Sequence, residues 1–264
     1  VSQTLLDRYD ALLIDLDGTV YRGGEVVPGA VEAVAEARRK SVGIRFVTNN
    51  ASRSPQAVAD HLNELGFNTS ITEVSTSAQA GAAMVADRVP AATKVLVLGT
   101  DALKEEIRLR KLVPVDTADE AQAVVQGLNQ DLGWRELAEA CVAINNGALW
   151  VACNVDVTLP TERGLLPGNG ALVAALKAAT GTEPLVAGKP ATPLLEQAAK
   201  SLGADRPLVV GDRLDTDIAG AVNAGMDSLL VLTGVSTRED AEALPEEWRP
   251  TYVGRDLSVL HQLP

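Results

Sequence analysis

Short apolar runs alternate with amphipathic stretches along nearly the whole chain, and no other feature restricts its fold so strongly. The runs predict strands over 11–14, 44–48, 95–98, 123–126, 149–152, 185–187, 208–210, 229–232 and 251–253. Between them the spacing predicts helices over 30–40, 55–65, 78–89, 102–111, 134–145, 171–179, 193–202, 217–224 and 257–262. Several of the runs are apolar at successive rather than alternate positions. Such strands bury both faces, which predicts an α/β fold with parallel sheets covered by helices on each side. Leu, Val, Ile and Ala must fill the interior, because aromatic residues are 3% of a chain that is 46% hydrophobic.

Two segments read as junctions. Val89-Pro90-Ala91-Ala92-Thr93 separates a helix from a new strand, and Thr180-Gly181-Thr182-Glu183-Pro184 does the same. The chain of 264 residues therefore divides into a core of residues 1–90 and 184–264 and an inserted α/β domain of residues 91–183.

The strand 11–14 poses a chemical problem. The run Ala11-Leu12-Leu13-Ile14 is fully apolar, yet it ends in Asp15 and Asp17. A buried carboxylate is costly without a partner, and a second one nearby raises the cost. Three further strand ends carry polar clusters: Thr48-Asn49-Asn50, Gly188-Lys189-Pro190, and Gly211-Asp212-Arg213 with Asp215 and Asp217. In open α/β sheets, ligands bind beyond the carboxyl ends of the strands. If these strands are neighbours, their groups converge. Asp15 and Asp212 then share a hard cation such as Mg²⁺, while Thr48, Asn49 and Lys189 hold a phosphoryl group beside it. An Asp carboxylate can attack phosphorus, and a second can move the proton.

Asp15-x-Asp17-Gly18-Thr19, Thr48-Asn49-Asn50, Lys189 and Gly211-Asp212 with Asp217 resemble, in order, the four motifs of the haloacid dehalogenase superfamily. The resemblance implies a Rossmann-like core with Asp15 as nucleophile and Asp17 as acid/base. It implies Mg²⁺ on Asp15, Asp212 and the main-chain carbonyl of Asp17, with Asp217 steadying metal waters or Lys189. Asp at position 17 implies a phosphatase or phosphomutase. The large insertion lies between Asn50 and Lys189, as in the subfamily IIA branch that includes 4-nitrophenyl, pyridoxal, phosphoglycolate and glycerol 3-phosphate phosphatases. Residues 154–176 look closest to the glycerol 3-phosphate members. The resemblance thus implies hydrolysis of small phosphate monoesters through an aspartyl-phosphate, with glycerol 3-phosphate ahead of phosphoglycolate or a broad sugar and nucleotide range. Leu159 stands where pyridoxal phosphatases carry a ring-contacting His, which counts against that substrate. Related phosphatases dimerise through their caps, which implies a homodimer.

Other readings are weighed on the same residues. A receiver-like switch that stores phosphate on Asp15 would need neither Asp17 nor a large insertion. Asp156 and Arg163, in the polar loop 154–163, read equally as substrate contacts or as a solvated pair. Gly168-Asn169-Gly170 has Val173 where a dinucleotide fingerprint wants Gly, so it reads as a helix-entry loop. Lys104-Glu105-Glu106 with Arg108, Arg110 and Lys111 reads as a solvated helix face, and Trp134 and Trp150 as core anchors. Cys141 and Cys153 lack metal or redox spacing and read as small apolar residues. A formal charge of −12 argues against nucleic acid or an anionic membrane as partner. The sequence carries no apolar signal region and no run of transmembrane length, which points to the cytoplasm.

Overall fold

In the computed structural model, residues 3–262 are described. The N-terminal part runs β1 (Ala11–Ile14), a hairpin of β2 (Tyr21–Arg22) and β3 (Glu25–Val26), α1 (Ala30–Arg39), β4 (Gly43–Thr48), α2 (Pro55–Glu64) and β5 (Val74–Thr76). The middle part runs α3 (Ser77–Ala86), β6 (Lys94–Leu98), α4 (Asp101–Leu109), β7 (Val113–Val115), β8 (Ala123–Gln126), α5 (Trp134–Asn145), β9 (Leu149–Ala152), a hairpin of β10 (Thr158–Thr161) and β11 (Gly164–Pro167), α6 (Asn169–Thr180) and β12 (Leu185–Val186). The C-terminal part runs α7 (Pro193–Leu202), β13 (Pro207–Gly211), a π-helical turn Leu214–Ile218, α8 (Ala219–Ala224), β14 (Asp227–Val231), α9 (Arg238–Ala243) and β15 (Tyr252–Gly254).

Contacts divide the chain into two compact units. The first holds the chain up to Thr48, Pro55–Ser75 and the chain from Lys189 onward; the second holds Asn49–Ser54 and Thr76–Gly188. Helix α3 and the loop after β4 therefore group with the inserted unit, which differs from a division at 90/91 and 183/184.

The first unit is built on a six-stranded sheet of order β15-β14-β13-β1-β4-β5. The pairings of β1 with β13 and β4, of β13 with β14, and of β14 with β15 are parallel. Alternate residues Leu12 and Ile14, Ile44 and Phe46, Leu208 and Val210, and Leu229 and Val231 point into one apolar cluster. Helices fill that cluster at three- and four-residue spacing, with Ala30, Ala33, Val34 and Ala37 from α1 and Val58, Ala59 and Leu62 from α2. Helix α7 packs against β1 and β4, burying Leu194, Leu195 and Ala198. Pro193 begins that helix and Gly203, at φ 62°, ends it. The chain leaves β1 toward β4 on one side and returns through β13 on the other, so the strand order reverses beside β1. That reversal is where open α/β sheets bind ligands.

The second unit holds a parallel five-stranded sheet of order β12-β9-β8-β6-β7 and the separate β10–β11 hairpin. Its core joins Leu96, Leu98, Val124, Trp150 and Ala152 of the sheet to Ala140, Ala143 and Ile144 of α5 and Val173 and Leu176 of α6. Helix α3 is almost wholly buried, and its Gly81 lies where a Cβ would stand 3.1 Å from Cys153 Sγ.

Three local expectations need correction. Trp134 is 79% exposed, because it opens α5 on the side away from Ala140, Ala143 and Ile144. Glu106 is buried although Lys104, Glu105 and Arg108 around it are solvated; it falls on the stripe of Leu103 and Ile107, and burial raises its acid. The helix expected over 217–224 is a π-helical turn followed by a short α-helix. Trp150 and Cys153 are buried as expected.

Candidate active site

Register places the site before any side chain is considered. Ile14 lies opposite Val210 on one side and Phe46 on the other. One or two residues further on, the three strands release Asp15, Thr48 and Asp212 at the same end of the sheet. The main-chain N–H of Asp15 still donates to Val210 O at 2.8 Å, so Asp15 leaves the sheet with its backbone held.

Lys189 supplies the cation nearest Asp15. Its Nζ donates to Asp15 Oδ1 at 2.6 Å, to Asp217 Oδ1 at 2.7 Å and to Val47 O at 3.2 Å. Its side chain is 3% exposed, that of Asp217 1%, and that of Asp15 16%. Burial alone would lower the Lys189 ammonium, but the carboxylates of Asp15 and Asp217 hold it above its ordinary value. Asp217 is itself braced, since its Oδ2 accepts the Arg213 N–H at 3.1 Å. The π-helical turn carries Asp217 to that position, and such turns recur at functional sites.

Asp212 is held from three directions. The Val235 N–H donates to its Oδ2 at 2.8 Å, Thr19 Oγ1 lies 3.5 Å from its Oδ1, and the Ser236 N–H donates to its main-chain oxygen at 3.1 Å. Glycines make this possible. A Cβ at Gly18, which sits at φ 83°, would stand 2.6 Å from the Asp212 carboxyl carbon, and one at Gly234 would overlap the same carboxylate. A Cβ at Gly211 would overlap Asp217. Thr233 Oγ1 donates to Gly18 O at 2.6 Å and fixes the Asp15–Thr19 turn to the end of β14.

Carboxylate oxygens of Asp15, Asp212 and Asp217 lie within 4.8 Å of one another. Burial and then Asp217 push the Asp15 acid up to about 8, against the pull of Lys189 and with a further rise from Asp212. Burial and Asp217 likewise push Asp212 up to about 6, against the N–H of Val235. Three carboxylates against one ammonium leave an excess of negative charge in an enclosed space. Hard oxygen donors so placed fit Mg²⁺. Asp217 gives its oxygens to Lys189 and to the Arg213 N–H, so Asp15 and Asp212 are the better placed side chains to hold the ion.

The other expected residues are placed as follows. Asp17 is exposed, in the turn where Gly18 N donates to Tyr21 O at 2.8 Å. Thr48 is buried at the end of β4. Asn49 groups with the second unit, where its Nδ2 donates to Asp156 Oδ2 at 3.2 Å. Asn50 Oδ1 accepts both the N–H and the hydroxyl of Ser52 at 2.7 Å, a local turn within the same loop. Leu159 lies in the β10–β11 hairpin, paired with Leu166. The glycine and hydroxyl frame at Thr233-Gly234-Val235-Ser236 was missed from sequence. Its signal was a fifth strand, 229–232, that ends in a polar and glycine cluster like the other four.

Known proteins resemble this chain along nearly its whole length. A model described as haloacid dehalogenase-like hydrolase matches residues 12–112, and a second, HAD-hydrolase-like, matches residues 186–260. The D-glycerol 3-phosphate phosphatase of Mycobacterium tuberculosis is 52% identical over 98% of this chain and 73% of its own length. An acid sugar phosphatase of Staphylococcus saprophyticus is 38% identical over 96% of this chain and 97% of its own. A crystal structure of a glycerol phosphate phosphatase from Mycobacterium tuberculosis in complex with magnesium has a TM-score of 0.95 at 52% identity, covering 99% of this chain and 79% of that one. With motifs, sheet order and matched residues in accord, the chain belongs to the haloacid dehalogenase-like hydrolases and is a phosphatase of that family.

Proposed function

We propose that this phosphatase hydrolyses glycerol 3-phosphate, with Asp15 as nucleophile and Asp17 as acid and base. The observation that carries the chemistry is Asp15, reachable by solvent and set between Lys189 and Asp212. The 52% identity to a D-glycerol 3-phosphate phosphatase over 98% of the chain supports the substrate. An Asp15 oxygen attacks phosphorus, the ester P–O bond breaks, and Asp17 gives its proton to the departing glycerol oxygen. Water then attacks the phosphorus of the aspartyl-phosphate, Asp17 takes the water proton, and inorganic phosphate leaves with Asp15 restored. Lys189 and Thr48 hold phosphoryl oxygens during both steps. Mg²⁺, when held by Asp15, Asp212 and the Asp17 main chain, neutralises charge that develops on the transferred group.

Phosphate release with Mg²⁺ from glycerol 3-phosphate, phosphoglycolate, a sugar phosphate, a nucleoside monophosphate and 4-nitrophenyl phosphate tests both parts. Preference for glycerol 3-phosphate, lost by ~10³-fold or more in Asp15→Asn, is expected. Equal activity in Asp15→Asn would remove the nucleophile, and preference for a sugar phosphate would reassign the substrate. The exposed Leu165, Leu166 and Val157 at the β10–β11 hairpin support a homodimer formed through the second unit, and sedimentation velocity at micromolar protein reads it directly.

A further inference from the structure

The residue that follows Thr48 is fastened within the inserted unit. Asn49 O accepts from Ser77 Oγ at 2.5 Å and from Asn154 Nδ2 at 2.7 Å. Asn49 Nδ2 donates to Asp156. Asn154 Oδ1 in turn accepts the Asp156 N–H at 3.2 Å, so two of the three residues that grip Asn49 also grip each other. Behind them, Asn169 Nδ2 donates to Asn154 O at 2.7 Å and to Gln126 O at 3.3 Å. Asn154 and Asn169 are 5% and 1% exposed.

Glycines again set the spacing. A Cβ at Gly170 would overlap the main chain of Val155, and one at Gly168 that of Asp156. A Cβ at Gly188 would stand 2.6 Å from both Asn49 Oδ1 and Cys153 O. Asn49 and the stretches 154–156 and 168–170, which read separately in the sequence, therefore interlock. Buried amides are costly unless their hydrogen bonds are made, and the Asn154 amide and the Asn169 NH₂ group spend theirs on holding a loop.

We propose that Asp156 and Asn154 are positioning residues, which orient Asn49 in the turn read from the sequence as phosphate-binding. The inference rests on the reading of that turn as a phosphate site. Asn49 is held by Ser77, Asn154 and Asp156, all within the inserted unit. Displacing a binding group by about 1 Å can cost ~10²-fold in rate. Asp156 acts here on the phosphate end of every substrate and does not choose among leaving groups.

The test measures kcat and KM for glycerol 3-phosphate and 4-nitrophenyl phosphate, with calorimetric binding of inorganic phosphate in Mg²⁺. In Asp156→Ala and Asn154→Ala, kcat/KM should fall ~10–100-fold for both esters alike, and phosphate affinity should fall with it. Asn49→Asp sets two carboxylates against each other and should lose as much. Asn49→Asp with Asp156→Asn, which exchanges donor and acceptor, should recover most of the loss even if a single variant folds poorly. Asn49→Ala/Asp156→Ala should be no worse than Asn49→Ala. Unchanged phosphate affinity in Asp156→Ala, additive losses, or an altered ratio between the two esters with phosphate binding intact would each overturn the proposal. Phosphate binding reads the clamp even if none of the esters is hydrolysed, so failure of the functional reading is seen separately.

Discussion

Asp17 differs from its neighbours in being exposed while Asp15, Asp212 and Asp217 are drawn inward around Lys189. Exposure suits a group that gives a proton to one oxygen and takes one from another. Asp17→Asn should lower turnover of glycerol 3-phosphate by ~10²–10⁴-fold. It should cost 4-nitrophenyl phosphate much less, because nitrophenolate departs without a proton. Parallel initial rates on the two esters read this, and equal losses would place Asp17 elsewhere in the reaction. Lys189 has the opposite character. Removing it strands two carboxylates, one of them fully buried, so Lys189→Met should cost roughly 3–5 kcal/mol in urea unfolding. The identity of these residues was legible in sequence because each is a charged group at the end of an apolar run. The fate of Asn49 was not, since its partner Asp156 lies more than a hundred residues further along and nothing local links them.

Among the elements, the central strands were legible and the small ones were not. Runs such as Leu12-Leu13-Ile14 and Val95-Leu96-Val97-Leu98 are buried on both faces and carry their own signal. The β10–β11 hairpin contains two prolines and four exposed residues in β11, so neither alternation nor an apolar run marks it. The π-helical turn Leu214–Ile218 has helical composition, and only its packing against Gly211 distinguishes it from the start of α8. The end of β14 yields a prediction of its own. Gly234 leaves room for the Asp212 carboxylate, and the next N–H holds it. Gly234→Ala must push that carboxylate aside, because the three atoms nearest the added Cβ all belong to Asp212. Groups that orient a metal ligand typically cost 10–100-fold in affinity when changed. The Mg²⁺ concentration for half-maximal activity should therefore rise by about that factor, with kcat largely retained at saturation. A loss of kcat with unchanged Mg²⁺ dependence would mean that Gly234 serves the reaction some other way.

For the whole molecule, the carboxylate cluster ties stability to pH and to the metal together. In the metal-free protein Asp15 is pushed up to about 8 and Asp212 to about 6, whereas both ionise near 3.8 when unfolded. Between those values the native state holds more protons than the unfolded state, so stability falls as pH rises. Asp212 contributes up to about pH 6, and Asp15 continues up to about pH 8. Lys189 is raised above its ordinary value, so its contribution is complete throughout this window and is lost only at higher pH. The lowered acids Asp7, Asp215, Asp240, Asp256 and Glu136 have gained their full stabilisation before pH 6 is reached. From pH 6 to 8 the slope belongs to Asp15, at most about 1.4 kcal/mol per pH unit. In a chain of this size that is a fall of about 2–4 °C in Tm for each kcal/mol. A divalent cation takes the place of the protons, and the native state binds it best when they have left. Scanning calorimetry in chelator and in millimolar Mg²⁺ should show Tm of the metal-free protein falling from pH 6 to 8. The rise in Tm on adding Mg²⁺ should be larger at pH 8 than at pH 6. An Mg²⁺ increment independent of pH would mean that the ion and the protons do not compete for the Asp15 and Asp212 carboxylates. The same scans on Asp15→Asn should flatten the pH slope of the metal-free protein, because the group that titrates in that window is gone.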